Sequence, residues 1–140
     1  MLNWLRNKRI EQIDRELCEY VREEFSRIDG VKVGQGMFNL RCHENAVQWA
    51  YHTKGGKVVQ VMCIDEGEVY LHYINQTRGG VYIDNTLGWR ADYIEYHLIG
   101  EVDRDRWHCI VSDFEGDVDG WWKGWTNWFD RHILKIERVV

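Results

Sequence analysis

The chain contains no proline in its 140 residues, so nothing in it reads as a polyproline segment or a proline-rich linker. It also lacks any run near the about 20 apolar residues that a membrane span needs. Its first residues offer only Met1-Leu2 and Trp4-Leu5 before Arg6, too little for a signal-peptide core. A basic excess is missing as well. The 18 Lys and Arg face 23 Asp and Glu, a net charge of −5. That balance argues against general binding to a nucleic-acid backbone. Paired metal motifs are absent too: no CxxC or HxxxH occurs, and Cys18, Cys42, Cys63 and Cys109 are never closer than 21 positions. The expectation is a cytoplasmic protein with free thiols, no cofactor and no metal. A zinc site built from Cys42, His43, Cys63 and His72 is the alternative for those residues.

What is present is ordinary for a globular chain: 44% hydrophobic and 29% charged residues, in a length that fits one domain, 1–140. Aromatics are plentiful, with eight Trp, seven Tyr and four Phe. Such a load implies an aromatic core or an aromatic-lined site.

Ile10, Ile13, Leu17, Val21, Phe25 and Ile28 recur at helical steps and predict a helix over about 8–28, ended by Asp29-Gly30. Residues 31–41 read as a loop with at most one short strand. Ala46, Val47, Ala50 and Tyr51 share a face, predicting a helix from 42 or 43 to 53. The period then changes. Segments 57–64, 68–75, 80–85 and 92–99 are rich in Val, Ile and Tyr and are separated by Gly-bearing turns, which predicts an antiparallel meander. RWHCIV at 106–111 is a candidate fifth strand, and DFEGDVDG at 113–120 reads as an acidic loop. Helical spacing returns from Trp121 to Leu134. The predicted fold is α+β: an antiparallel sheet of about four to five strands, packed by an N-terminal helix, a Cys-bearing helix and a C-terminal Trp-rich helix.

Cys42 opens a predicted helix, where the positive end of the macrodipole lowers a thiol pKa. A nucleophilic thiol needs a base, and the base an orienting group. His72 and Asp84 fall on successive predicted strands, close enough for a His–carboxylate bond. Order and spacing therefore allow a Cys-His-Asp triad. Each residue also has a plainer reading. Cys42 fits a core helix position, His72 an interior strand, and Asp84 a turn before Gly88. His43 is a rival base, although helix neighbours point about 100° apart.

CHENA at 42–46, LHYIN at 71–75 and YIDNT at 82–86 together resemble the transglutaminase-like branch of the papain-like cysteine enzymes, particularly small bacterial and phage members. The resemblance covers roughly residues 35–100. It implies that Cys42 is the nucleophile, that His72 is general base and acid, and that Asp84 orients the imidazole. Thr86 matches the hydroxyl residue that follows the aspartate in the family. Gln35 or Asn39, in the loop before the cysteine, would supply an oxyanion donor beside the Cys42 amide, with Gln35 favoured. Leu40-Arg41 stand where members often carry Trp, and Asn85 where many carry Pro. The implied activity is a thiol hydrolase or acyltransferase acting on an amide, ester or isopeptide carbonyl of a protein, peptide or small molecule.

WWKGWTNW at 121–128 reads first as a helix sealing the sheet. Its alternative is the wall of a ligand pocket, with Trp121, Trp125 and Tyr73 as contacts. That alternative supports a different class of function: a non-catalytic binding protein, such as a phage-encoded inhibitor or a ligand-sequestering protein. No membrane partner is expected, and no oligomeric state is signalled.

Overall fold

The computed structural model describes residues 1–36, 39 and 41–140. The elements are α1 (Leu2–Glu24), β1 (Arg27–Ile28), β2 (Lys32–Val33), α2 (Cys42–Tyr51), β3 (Lys57–Asp65), β4 (Glu68–Gln76), β5 (Tyr82–Asp84), β6 (Glu95–Val102), α3 (Ile110–Trp125) and α4 (Trp128–His132). Two 3-10 segments, Gly88–Tyr93 and Arg104–Cys109, flank β6. Among the described residues no helix is long and apolar enough to cross a membrane.

The α+β class holds, but the sheet differs from the expected meander. Among the described residues it has six strands in the order β1-β6-β3-β4-β5-β2 and is mixed, because β2 runs parallel to β5. The long β3–β4 hairpin turns through Glu66-Gly67, both at positive φ, the geometry of a two-residue primed turn. β6 lies on the other side of β3, with a register shift between Gln60 and Val61. The edges are two-residue strands, β1 on β6 and β2 on β5, too short and too poor in alternation to be read from sequence.

Several boundaries move. α1 ends at Glu24, and Phe25 turns extended so that Arg27–Ile28 can pair with β6. The residues predicted to begin the fourth strand, from Asp92, lie in a 3-10 turn, and β6 starts at Glu95. RWHCIV is no strand: it enters a 3-10 turn and then α3. The acidic 113–120 segment is the middle of α3 rather than a loop. Its apolar stripe Ile110, Phe114, Val118, Trp121 and Trp125 recurs at three- and four-residue steps and packs onto the core. The acidic side chains between them face outward, so acidity marks an exposed face of a helix. The Trp-rich segment breaks at Thr126, and α4 starts from a capping box between Asn127 and Asp130. The loop expectation at Met37, Phe38 and Leu40 lies outside the described residues.

The sheet buries both faces. Met62, Ile64, Val69 and Leu71 pack with Leu17, Cys18 and Val21 of α1, while Val58 and Tyr73 pack with Ala46 and Ala50 of α2. On the other face Val59, Val61, Cys63, Ile74 and Tyr96 are covered by Ala91 and Ile94, in and just after the 3-10 turn.

Candidate active site

β4 and β5 pair with Asn75 opposite Ile83 and Gln76 opposite Tyr82. Continuing this register puts His72 and Asp84 diagonally across the ladder on one face, within reach of each other. His72 Nε2 and Asp84 Oδ2 are 2.8 Å apart. Both side chains are sealed from solvent, at 3% and 0% exposure. Asp84 takes three more donors: Tyr96 Oη to Oδ2 at 2.6 Å, and the Thr86 and Leu87 amides to Oδ1 at 2.9 and 3.0 Å. Burial alone would raise the carboxyl, but His72, Tyr96 and the Leu87 amide outweigh it and hold Asp84 down at about 2.

An ionised carboxylate accepts only, so the neutral His72 ring keeps its proton on Nε2 and leaves Nδ1 for another partner. Cys42, the first residue of α2 and 6% exposed, lies beside that ring. Burial pushes the Cys42 thiol up. The imidazoles of His43 and His72 beside the sulfur, the His72 charge and the Tyr73 backbone amide outweigh it and bring the thiol down to about 6. Burial likewise pushes His72 down, yet Asp84 and Cys42 hold it up at about 10. The two titrate as a coupled pair, the thiol lowered and the imidazole raised, directions that favour thiolate and imidazolium. Cys63 and Cys18 show the contrast, since burial raises both thiols.

α2 packs by Ala46 and Ala50 against Val58 and Tyr73, the alternate set of strand residues to His72. His72 and Asp84 therefore lie on the sheet face opposite the one α2 packs on, and it is Cys42, at the start of α2, that comes beside His72. Among the described residues no side chain caps the start of α2, whose first-turn amides lie at the Cys42 end of the helix.

The remaining candidates divide. Thr86 is buried beside the site, accepting from Asn45 Nδ2 at 3.1 Å. Asn39 Oδ1 accepts from the Arg41 amide and from Asn45 Nδ2, tying the preceding loop to α2. Gln35 is exposed, and its backbone amide donates to Asn85 Oδ1 at 3.4 Å. With Asn45, Gln48, Trp49, His52 and Asn85 it lines a cavity of about 270 Å³. Tyr73 is buried, and its hydroxyl accepts from Gln60 Nε2 at 3.0 Å. His43 stacks on Phe114, ring centroids 4.8 Å apart, and its buried Nδ1 has no partner among the described residues. It lacks the carboxylate that orients His72. Trp121 and Trp125 are not at this site. They pack edge-on against Tyr20 of α1, in the cluster of Leu17 and Val21. Among the described residues no three His, Cys, Asp or Glu side chains are placed to hold a metal ion.

Three residues carry weight that sequence reasoning missed. Tyr96 grips Asp84 and carries no motif that would single it out. Asn75, fully buried, donates to the Ala46 carbonyl at 2.8 Å and the Lys57 carbonyl at 3.0 Å, which pins α2 to the sheet. Asn85 Nδ2 donates to Asn75 Oδ1 at 2.9 Å. The signal for Asn75 was present: asparagine is disfavoured inside strands, yet here it sits in a strand of apolar neighbours. No family model matches the chain, and no curated protein or solved structure matches it.

Proposed function

We propose that the protein is a cysteine-dependent hydrolase or acyltransferase in the manner of transglutaminase-like enzymes. The observation that carries this reading is the convergence of the Cys42 thiol, the His72 ring and the four-fold held Asp84 carboxylate. The thiol and the imidazole shift each other beside the start of a helix, and perturbed pairs of this kind concentrate at functional sites. Cys42 Sγ attacks the carbonyl carbon of an amide, ester or isopeptide, and the carbonyl π electrons move onto oxygen. The amides at the start of α2 stabilise that oxyanion. On collapse the C–N or C–O bond breaks, His72 gives its proton to the leaving group, and a thioester on Cys42 remains. Water or an amine then attacks the thioester, His72 takes the proton, and the thiolate departs. Asp84 keeps the imidazole oriented throughout and stabilises it whenever it carries the proton.

The test uses p-nitrophenyl acetate as an activated acyl donor. The wild type releases a burst of nitrophenolate equal to the chain concentration and gains one acetyl group on Cys42 by intact mass. Cys42→Ala gives neither, and His72→Ala slows the burst by at least about a hundredfold. A wild-type chain with a demonstrable thiolate but no burst and no adduct would contradict the reading.

A further inference from the structure

Away from Cys42, the β3–β4 turn and the 3-10 turn at Gly88–Tyr93 enclose a surface cavity of about 730 Å³, lined by Asp65, Glu66, Glu68, Trp89, Arg90 and Tyr93. Trp89 and Tyr93 are 71% and 76% exposed. They pack on each other rather than on the core, edge to face with centroids 5.8 Å apart. Two large aromatics held together in solvent give up apolar surface that the fold does not use. The carboxylates beside them are poorly neutralised. Arg90 pairs with Asp65 at 2.8 Å, but neither Glu66 nor Glu68 makes an ion pair among the described residues. Burial raises the Asp14 carboxyl on α1, and the nearby Glu68 charge adds to that rise. Glu66 also sits at φ 50, in a turn position that asparagine or glycine would fill without strain. The position nonetheless carries a carboxylate, and that residue lines the cavity.

We infer that this cavity binds a lysine or arginine side chain from a basic stretch of a partner polypeptide. The aromatic faces supply cation–π contact, and Glu66 and Glu68 supply charge complementarity. The net charge of −5 steers such a segment toward the protein. The site is separate from Cys42, and its occupancy does not depend on whether Cys42 is catalytic.

The experiment is fluorescence anisotropy of labelled oligo-arginine and oligo-glutamate peptides titrated with the full chain. The arginine peptide binds, more weakly as salt rises, and the glutamate peptide does not. Trp89→Ala and Tyr93→Ala each weaken binding roughly two- to five-fold, the value of an exposed cation–π contact. Glu66→Gly weakens binding while raising the thermal midpoint, because it removes both the charge and the strain. In all three variants Cys42 reacts with iodoacetamide at the wild-type rate, which reports an intact fold. Binding that Trp89→Ala leaves unchanged would reduce the effect to bulk acidity and overturn the site. Absence of binding to the arginine peptide overturns it too. Tetramethylammonium competing as strongly as the peptide would make this a small-cation site and sink the polypeptide partner.

Discussion

At Asp84 the carboxylate is buried without solvent and still ionised, because Tyr96, His72 and the Thr86 and Leu87 amides fill both of its oxygens. Removing it strands a charged imidazole in the interior. Asp84→Ala should cost about 3–5 kcal/mol in a urea titration, the usual penalty for breaking a buried pair. The pH dependence has a definite sign. The folded carboxyl titrates at about 2 against an ordinary 3.8, so its stabilisation is complete above about 4 and is lost as pH falls through about 2. Asp84→Asn removes that contribution, and its urea midpoint should fall less steeply than the wild type's over the same acid range. Sequence reasoning picked out Cys42, His72 and Asp84 from a helix start and from strand alternation, and Thr86 through the resemblance to transglutaminase-like enzymes. It could not reach Tyr96, whose role depends on β6 crossing the sheet to lie beside β3, a long-range pairing that no local pattern encodes.

The second helix, α2, is positioned by one side chain more than by its own caps. Asn75 binds the Ala46 carbonyl, the Lys57 carbonyl and the Asn85 amide together. Asn75→Leu would leave buried groups unpaired at about 1–3 kcal/mol each. A lower thermal midpoint should come with slower Cys42 alkylation, since the helix start would no longer be held against His72. Gly34 guards the neighbouring junction. A Cβ there would lie 2.3 Å from Asn85 Oδ1 and 2.7 Å from the Asp84 carbonyl oxygen, so Gly34→Ala should destabilise the fold and disturb the β2–β5 pairing. In α3 the expectation reverses. Gly120 lies inside the helix, and a Cβ there would meet nothing within 4 Å. Gly120→Ala should stabilise by about 0.5–1 kcal/mol, read as a raised thermal midpoint. The glycines and acids of this segment make it look like a loop. Its helix comes from the tertiary burial of Phe114, Val118 and Trp121, which overrides weak local propensity.

Across the whole molecule, the α+β class and the long central strands followed from periodicity, because β3, β4 and β6 carry enough residues to show it. The mixed character of the sheet did not, because it rests on two residues of β2 lying parallel to β5. The aromatics divide along the same line. Trp107, Trp121, Trp122 and Trp125 join α1, α3, β6 and the C-terminal segment into the core, whereas Trp89 stands exposed with Tyr93. The chemistry proposed for the molecule depends on one charge state, the thiolate of Cys42 against the imidazolium of His72. The direct measurement is the rate of Cys42 carboxymethylation by iodoacetamide as a function of pH, read by peptide mapping beside the other three thiols. The predicted result is a rate that rises with a midpoint near pH 6 and far exceeds that of Cys18 and Cys63 at mildly acidic pH, with His72→Ala shifting the midpoint up toward the ordinary thiol value of about 8.5. Slow and equal labelling of all four thiols, or a wild-type midpoint already near 8.5, would contradict it.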